Sequence, residues 1–494
     1  YRLSAELQGF KRHVSKGIEL KVADTAALNI ALEIGDVSTE VEVSAAAPLI
    51  DTTSSKIGSV VQERQILDLP LNGRNAMMLY YLQAGTNPRD SLGGQQAVGS
   101  VDGLRTNASN TRIEGVWASD ASYDMSPAAP NVAVPLEAVG EYRVTTSSAS
   151  AEMGRGAGAQ VQVVYRSGTN SFHGSAYEFN RNTVYNANDF FRNRSASATD
   201  RARPPVFQRN QYGASLGGPI RKDKTFFFGN WEGQRQIQAS VENYLVYTQA
   251  LRDGIFRFNT AKANSTADVD PTTGNPLVPF KTIEIYKADP TRLGMDTSGI
   301  VAAKLKQILL PNNYDIGDGF NLAGYRFTSS NPNHGNQAVV KIDHSLSTRH
   351  QLSGAIGGYW FRSGDAYMFS GYRSFESREK KRNAMIGLVS GLKPNLTNEF
   401  RIGATRRLTD TVPGNPGNFD PKGNFQLSGL GSGRGGGTNG NPLGVYLPQR
   451  NPIDAYNLND NIAWVLKNHT IKVGFEVTHT TKNNWFGGDE YIPT

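Results

Sequence analysis

The chain has 494 residues and no cysteine, and its 52 Gly, 20 Tyr and 22 Phe sit beside only 38% hydrophobic residues, a balance that lacks a conventional aliphatic core. A formal charge of +7, from 51 Lys and Arg against 44 Asp and Glu, comes without an evident Lys/Arg cluster or basic helix and argues against nucleic-acid binding. No stretch approaches the ~18 consecutive apolar residues of a membrane-spanning helix, whereas a β-barrel is compatible with the mean hydropathy of −0.44, because half of each strand faces a polar lumen.

The absence of Cys forbids disulfides and thiolate metal sites and fits an envelope protein. Tyr1 opens directly into the alternating run Tyr1, Leu3, Ala5, Leu7, with the turn-forming Gly9 behind it and no signal peptide. The expectation is a chain that starts inside a domain. Ile18 to Val22, Ala27 to Leu32 and Val37 to Val43 read as three antiparallel strands of a small β-domain, residues 1–45.

From Pro48 the texture changes. Gln62 to Leu69 carries Ile66, Leu67 and Leu69, the run Pro70-Leu71-Asn72-Gly73-Arg74 breaks it, and Ala76 to Leu82 resumes a short helical pattern that ends at Gly85. A Gly-rich stretch leads to strand-like Glu141 to Thr146 and Gln160 to Arg166. Residues 46–167 therefore read as a mixed α/β unit of about 120 residues.

After Gly168 the reading is all-β. Ser171 to Asn180, Asn210 to Gly217 and Thr225 to Gln234 are strands, the last two joined by the charged turn Gly218 to Lys224. Gln337 to His344 and His350 to Phe361 flank Ser345 to Arg349; Asn383 to Leu392 and Glu399 to Arg407 flank Lys393 to Asn398; Asn461 to Leu466 and Thr470 to His479 flank Lys467 to His469. Short turns alternate with long insertions around 235–335 and 411–458, the rim asymmetry of outer-membrane barrels. In the last strand Ile471, Val473, Phe475 and Val477 alternate with Lys472, Gly474, Glu476 and Thr478, as a crossing between lipid and a wet lumen requires. About nine crossings are legible, against roughly 22 in a plugged transporter. The fold class is mainly β: part of a large antiparallel transmembrane barrel over 168–494, a preceding α/β plug, and a remnant of a small β-sandwich.

Ile66 to Asn75, with Leu69-Pro70-Leu71-Asn72-Gly73-Arg74 at its centre, resembles the opening of the plug in Oar-like TonB-dependent receptors. Leu136 to Val144, including Glu141, and Ser150 to Arg155, including Gly154 and Arg155, resemble the later plug. Ser167 to Gly174 resembles the passage into the barrel. Gly218-Pro219-Ile220, Lys224 to Phe228 and Lys341 to His344 match further on, and Gly9-Phe10 with Val41-Glu42-Val43 resembles the end of a carboxypeptidase-regulatory-like domain. Where the family often has Asp-Gly, this chain has Glu114-Gly115, which keeps the carboxylate but lengthens it.

The resemblance implies an outer-membrane receptor in a Gram-negative-type bacterium, seated in outer-membrane lipid. It would bind an extracellular ligand of unknown identity and be energised by a TonB-type periplasmic transducer that contacts a segment upstream of Tyr1. From the residues themselves, Pro70 stops a helix and Gly73 permits a sharp turn. Arg74 is expected either to pair with a carboxylate on the barrel wall or to stay solvated, and Glu114 and Arg155 are either plug-to-wall charges or solvated loop positions.

Catalytic and metal sites are not expected, nor is a cofactor. Gly154 to Gly158 precedes a strand and not a helix, so it lacks the geometry of a dinucleotide loop. His344 and His350 sit across a turn without a third ligand. Two other readings compete with the receptor: a surface adhesin or structural β-protein, for which a plug-like unit has no purpose, and a soluble carbohydrate-binding sandwich, for which the unequal loops are unsuited.

Overall fold

The computed structural model describes residues 3–16, 30–35, 40–44, 57–69, 71–87, 100–104, 108–119, 132–154, 156–188, 190–195, 204–288, 309–364, 367–369, 372–373, 375–413, 449–466 and 469–486. At the N-terminal end β1 (Leu3–Ala5), β2 (Arg12–Lys16) and β3 (Glu40–Ser44) form a three-stranded sheet. β1 and β2 run antiparallel, whereas β2, which is not among the expected strands, and β3 are parallel, Arg12 opposite Glu40 and Lys16 opposite Ser44; residues 30–32 of the expected strand Ala27 to Leu32 are not in a strand. A parallel pair needs a crossover of a dozen or more residues, which the stretch between Lys16 and Glu40 supplies. Ile18 to Val22 and residues 27–29 lie outside the described residues.

The next unit is a five-stranded mixed sheet of order β4-β7-β8-β5-β6, built from β4 (Ile57–Gln62), β5 (Asn110–Ile113), β6 (Val116–Trp117), β7 (Val139–Ser147) and β8 (Gln160–Tyr165). Helix α1 (Glu63–Asp68) stops just ahead of the Pro70 position, as the missing proline N–H dictates. Gly73, at φ 72°, and Arg74, at φ 53°, make the sharp turn that follows. Ala76–Leu82 then winds as a 3-10 helix whose first turn is capped by the Asn75 side chain, accepting from the Met77 N–H at 2.9 Å. Its inward side buries Ala76, Met77, Leu79 and Tyr80 against Ile66, Ile113, Tyr142 and Val163.

Nine long strands follow in one antiparallel meander: β9 (His173–Asn182), β10 (Phe207–Arg221), β11 (Thr225–Tyr247), then, beyond the small hairpin β12 (Ile255–Asn259) and β13 (Phe280–Glu284), β14 (Leu322–Ser345) and β15 (His350–Gly364). After the short pair β16 (Tyr367–Phe369) and β17 (Tyr372–Arg373) come β18 (Phe375–Lys393), β19 (Leu396–Pro413), β20 (Gln449–Leu466) and β21 (His469–Lys482), with β22 (Trp485–Phe486) pairing β20. Each strand in the series pairs with the one before it. In lipid the backbone groups of a crossing strand must be met by neighbouring strands, as they are for the strands between β9 and β21.

The two faces of the meander differ. Val473, Phe475 and Val477 on β21 are each more than half exposed, as are Ile386 on β18 and Ile356 on β15, whereas Met385 and Ala355 beside them are buried. A contiguous exposed aliphatic face on long strands is a lipid-facing surface. The buried face carries Phe228, Val339, Ala355 and Met385, which join the hydrophobic core of the five-stranded unit. That unit therefore sits inside the curve of the strands, against the wall.

The expected insertions prove shorter than the sequence suggested. Strands β11 and β14 have 23 and 24 residues, about twice the ~10 that cross a bilayer, so both continue well past the membrane and reduce the first insertion to residues 248–321. There Asp270 accepts backbone hydrogen bonds from Thr273 and Thr272, and the Lys262 ammonium lies 2.8 Å from Asp268; these contacts hold both carboxyls below the ordinary range. A carboxyl depressed in the fold contributes stability that is present above its unfolded pKa of about 3.9 and lost as pH falls through the folded value. Below about pH 4, backbone amide exchange in 262–275 is expected to speed up before that of the strands.

The lipid-facing assignment predicts that Ile386→Arg destabilises the membrane-embedded protein by about 2–4 kcal/mol in reversible unfolding from lipid bilayers. An arginine at neighbouring Gly387, on the inner face, meets Arg401 instead of lipid. If Ile386→Arg were neutral, the two faces would be wrongly assigned.

Candidate functional site

The seam between the plug-like sheet and the wall carries a series of charged contacts. Strands β5 and β6 are joined by the two-residue turn Glu114-Gly115, with Arg112 opposite Trp117 and Ile113 opposite Val116. Both turn residues have positive φ, 50° and 75°, the conformation that matches a tight hairpin to strand twist. Asp, Asn and Gly take this conformation most readily, and Glu does so at some cost. The longer side chain has a use: its carboxylate reaches past the turn to the wall.

There the Lys341 ammonium of β14 donates to both Glu114 oxygens, at 2.9 and 3.0 Å, and to the Tyr165 carbonyl at 3.2 Å. The Tyr165 backbone N–H donates to Glu114 at 2.6 Å. The two ionised side chains are only 5% and 8% exposed. Arg401 of β19 donates to the Glu114 carbonyl at 2.7 Å and Asn459 of β20 to the Gly115 carbonyl at 3.0 Å. A Cβ on Gly115 would run into the Arg401 side chain, so the glycine serves close approach as well as φ.

A second contact lies one strand over. Arg112 pairs with Glu476 of β21 and donates to the Met153 carbonyl at 3.1 Å, while Asn457 donates to the other Glu476 oxygen at 2.8 Å. Gly154 lies over this pair, its Cβ position 3.5 Å from Glu476 and 3.7 Å from Arg112. Lys472 reaches Glu152 at 2.6 Å.

The third contact corrects an expectation. Arg74 does meet a carboxylate, but it is Glu137 of the same plug-like unit, at 2.8 Å, and not a residue of the wall. The wall supplies aromatic faces: the guanidinium carbon sits 4.7 Å from the Tyr177 ring centre and 4.1 Å from that of Phe179. Ser175 donates to Glu137 at 3.3 Å and Gln211 to the Gly73 carbonyl at 3.0 Å, so the turn at Gly73-Arg74 is still held from outside. A planar guanidinium can stack and pair at once, which a lysine cannot do equally well.

Of the expected signature residues, Gly73, Arg74, Glu114, Gly115 and Gly154 lie at the seam. Leu69 and Leu71 pack on the inner core, Asn72 lies in the turn before Arg74, and Glu141 sits on β7 opposite Gln62 of β4. Pro70 and Arg155 lie outside the described residues. Sequence reading missed Lys341, Arg112, Arg401 and Glu137 as site residues. Glu476 and Lys472 were legible as lumen-facing by alternation, but their partners were not. Among the described residues no group of three His, Asp or Glu can hold a metal; His344 and His350 instead contact Thr225 and Ser390.

A folded α/β unit seated by charge against the inner face of an antiparallel sheet whose outer face is apolar is the architecture of a plugged outer-membrane barrel. The chain belongs to the outer membrane beta barrel domain family, which it matches over residues 164–491, and its location is the outer membrane. It is 25% identical over 235 residues to the TonB-dependent transporter Oar of Myxococcus xanthus, a stretch covering 47% of this chain and 22% of that protein. The fold resembles the outer membrane transporter YddB of Escherichia coli, with a TM-score of 0.51 at 12% identity over 87% of this chain and 48% of that one. The chain thus spans less than half the length of either.

Removing one partner of a buried ion pair strands the other. Lys341→Met is expected to destabilise the seating of the plug by about 3–5 kcal/mol, and the double variant with Glu114→Gln to recover most of that loss. Limited proteolysis of the plug in detergent-solubilised protein reads it. Equal protease resistance in Lys341→Met and wild type would show the pair to be dispensable.

Proposed function

We propose that this chain is the plug and the first part of the barrel of a TonB-dependent outer-membrane transporter, in which the plug closes the lumen until a periplasmic transducer displaces it. Residues 46–167 act as the plug and the strands after Gly168 as the wall, with residues 1–45 as the end of a separate β-domain. The observation that carries the reading is the seam itself. Its strongest contacts are ion pairs and charge-assisted hydrogen bonds, Glu114 to Lys341, Arg112 to Glu476 and Arg401 to the Glu114 carbonyl.

Charged contacts of this kind seal the lumen when dry and can be exchanged for water when the seam opens, while the apolar part of the seam, where Phe228, Val339, Ala355 and Met385 join the plug core, adds to the work of opening. Opening still requires work. The outer membrane has neither nucleotide nor a large potential of its own, so the work must come through a partner. An adhesin or structural β-protein has no use for a stopper bonded at several points to the lumen wall. The long insertions, rich in Asn, Gly, Thr and Pro, favour a large polar ligand over a small apolar one.

These 494 residues hold no Cys, so a thiol at the seam is an introduced one. Val116, 1% exposed at the seam, is replaced by Cys and probed in living cells with a thiol reagent confined to the envelope. Labelling is expected in energised cells and to fall at least severalfold with a proton uncoupler. Gly403→Cys added to Val116→Cys gives a lock, since the Cβ position at 403 lies 3.2 Å from the Val116 Cβ, close to disulfide reach; oxidation is expected to abolish labelling and reductant to restore it. Labelling indifferent to the uncoupler would point to a static β-protein.

A further inference from the structure

Around the run Arg378-Glu379-Lys380-Lys381-Arg382 the strands assemble a basic cluster on the outer wall. Ile386 is half exposed and Met385 buried, so the even-numbered residues of β18 face outward. These include Arg378, Lys380 and Arg382, while Lys381 between them faces the lumen, with its ammonium over the Tyr359 ring. Cross-strand register adds neighbours on the same face: Arg378 stands opposite Arg362 on β15 and Asp410 on β19, Asp410 opposite Arg450 on β20, and Arg382 opposite Arg406, itself opposite Asp454.

The height of this patch is fixed by the same register. Below it, towards the short turns, the rows are Ile356, Ala384, Ala404 and Tyr456, then Gly354, Ile386, Ile402 and Leu458, an apolar belt. Within it, Trp360 lies opposite Lys380, and Trp and Tyr mark the level of the membrane interface. On the other side of it, away from the short turns, β15 and β18 lead towards the β16 and β17 pair. The patch therefore sits at the headgroup level of the outer leaflet, about 13 Å along the strand from Ile386 to Arg382.

Charge on this face is not balanced. Six cations, Arg362, Arg378, Lys380, Arg382, Arg406 and Arg450, meet three carboxylates, Glu376, Asp410 and Asp454. Glu376 pairs with both Arg362 and Arg378, Asp410 lies 3.5 Å from Arg450, and Asp454 lies 3.5 Å from Arg406. Lys380 and Arg382 are exposed and have no ion pair among the described residues. Among the described residues of this patch on these four strands the surplus is three positive charges, beside Trp360.

We infer that this patch is a binding site for the phosphate groups of an anionic lipid in the outer leaflet. Lys and Arg bury their stems along apolar surface and hold their charges at the headgroup level, and guanidinium and ammonium groups are the side chains that capture phosphate. The ligand is a phosphorylated glycolipid, and its acyl chains lie on the belt of Ile356, Ile386 and Ile402. A protein surface is less suited, because the belt directly beneath the charges is lipid-facing. The inference rests on the outer-membrane location and does not depend on transport.

The test uses the complete protein, extracted in mild detergent, and native mass spectrometry with bisphosphorylated lipid A, the same lipid without phosphates, and inorganic phosphate. Wild type is expected to retain the phosphorylated lipid, to discriminate against the dephosphorylated form and to resist displacement by millimolar phosphate. Lys380→Gln with Arg382→Gln is expected to weaken retention about thirtyfold, the loss of two cations at a lipid surface, with heat-modifiable gel mobility unchanged. A variant that fails the mobility control is replaced by a salt titration of wild type, in which retention must fall as ionic strength rises. Equal retention of both lipids, retention indifferent to salt, or a folded double variant that binds as wild type would overturn the site.

Discussion

Taking a carboxylate and an ammonium out of water costs several kcal/mol for each ion, and their mutual attraction repays this only when every remaining hydrogen-bonding position is filled. Glu114 and Lys341 meet that condition. The carboxylate accepts from the ammonium and from the Tyr165 N–H, and the ammonium also donates to the Tyr165 carbonyl. One end of this pair is on the plug and the other on the wall, so the strand β8, the β5–β6 hairpin and the register of β14 must all be in place before it forms. The position of the plug in the lumen follows from it.

The same constraint explains the unusual turn. A hairpin tip pressed against a wall needs backbone that other side chains can approach, and Gly115 provides it for Arg401 and Asn459. The preceding position must supply a charge of sufficient reach, and Glu114 supplies it at the expense of a left-handed backbone. Arg112, on the same hairpin, extends the seam to β21 through Glu476. Three wall strands beyond β14 are thereby tied to a hairpin of eight residues, Asn110 to Trp117.

Much of this was legible in the residues, and the parts that were not share a cause. Alternation along β21 gave its lipid and lumen faces directly, because a period of two is a local property of strands. The Leu69 to Arg74 run announced a plug opening, and Gly73 announced its turn. What alternation cannot give is the partner of a lumen-facing charge: Glu476 was visibly inward, but that it meets Arg112 depends on contacts some 360 residues apart in sequence. Arg74 shows the opposite failure. Its pairing with a carboxylate was expected from its charge, but Glu137 is closer in the fold than any wall acid, and the wall answers with the rings of Tyr177 and Phe179. The parallel pairing of β2 and β3 was hidden because short alternating runs carry no sign of direction. The basic patch on β18 was hidden because Arg362, Arg406 and Arg450 join Lys380 and Arg382 only through cross-strand register.

The passage from plug to wall is short and tightly held. Gly168 lies against the backbone of Gly218 and Phe227 with no room for a side chain, and Asn170 and Asp223 exchange two hydrogen bonds, at 2.6 and 2.8 Å, across the first rim turn. A stopper fastened in this way has a fixed pivot. Under the transporter reading, clearance of the lumen would come from swinging about residue 168 or from peeling inward from the edge strand β4, which is paired on one side only. The effective aperture would then be set less by the diameter of the ring than by how much of the stopper is released before the pull stops.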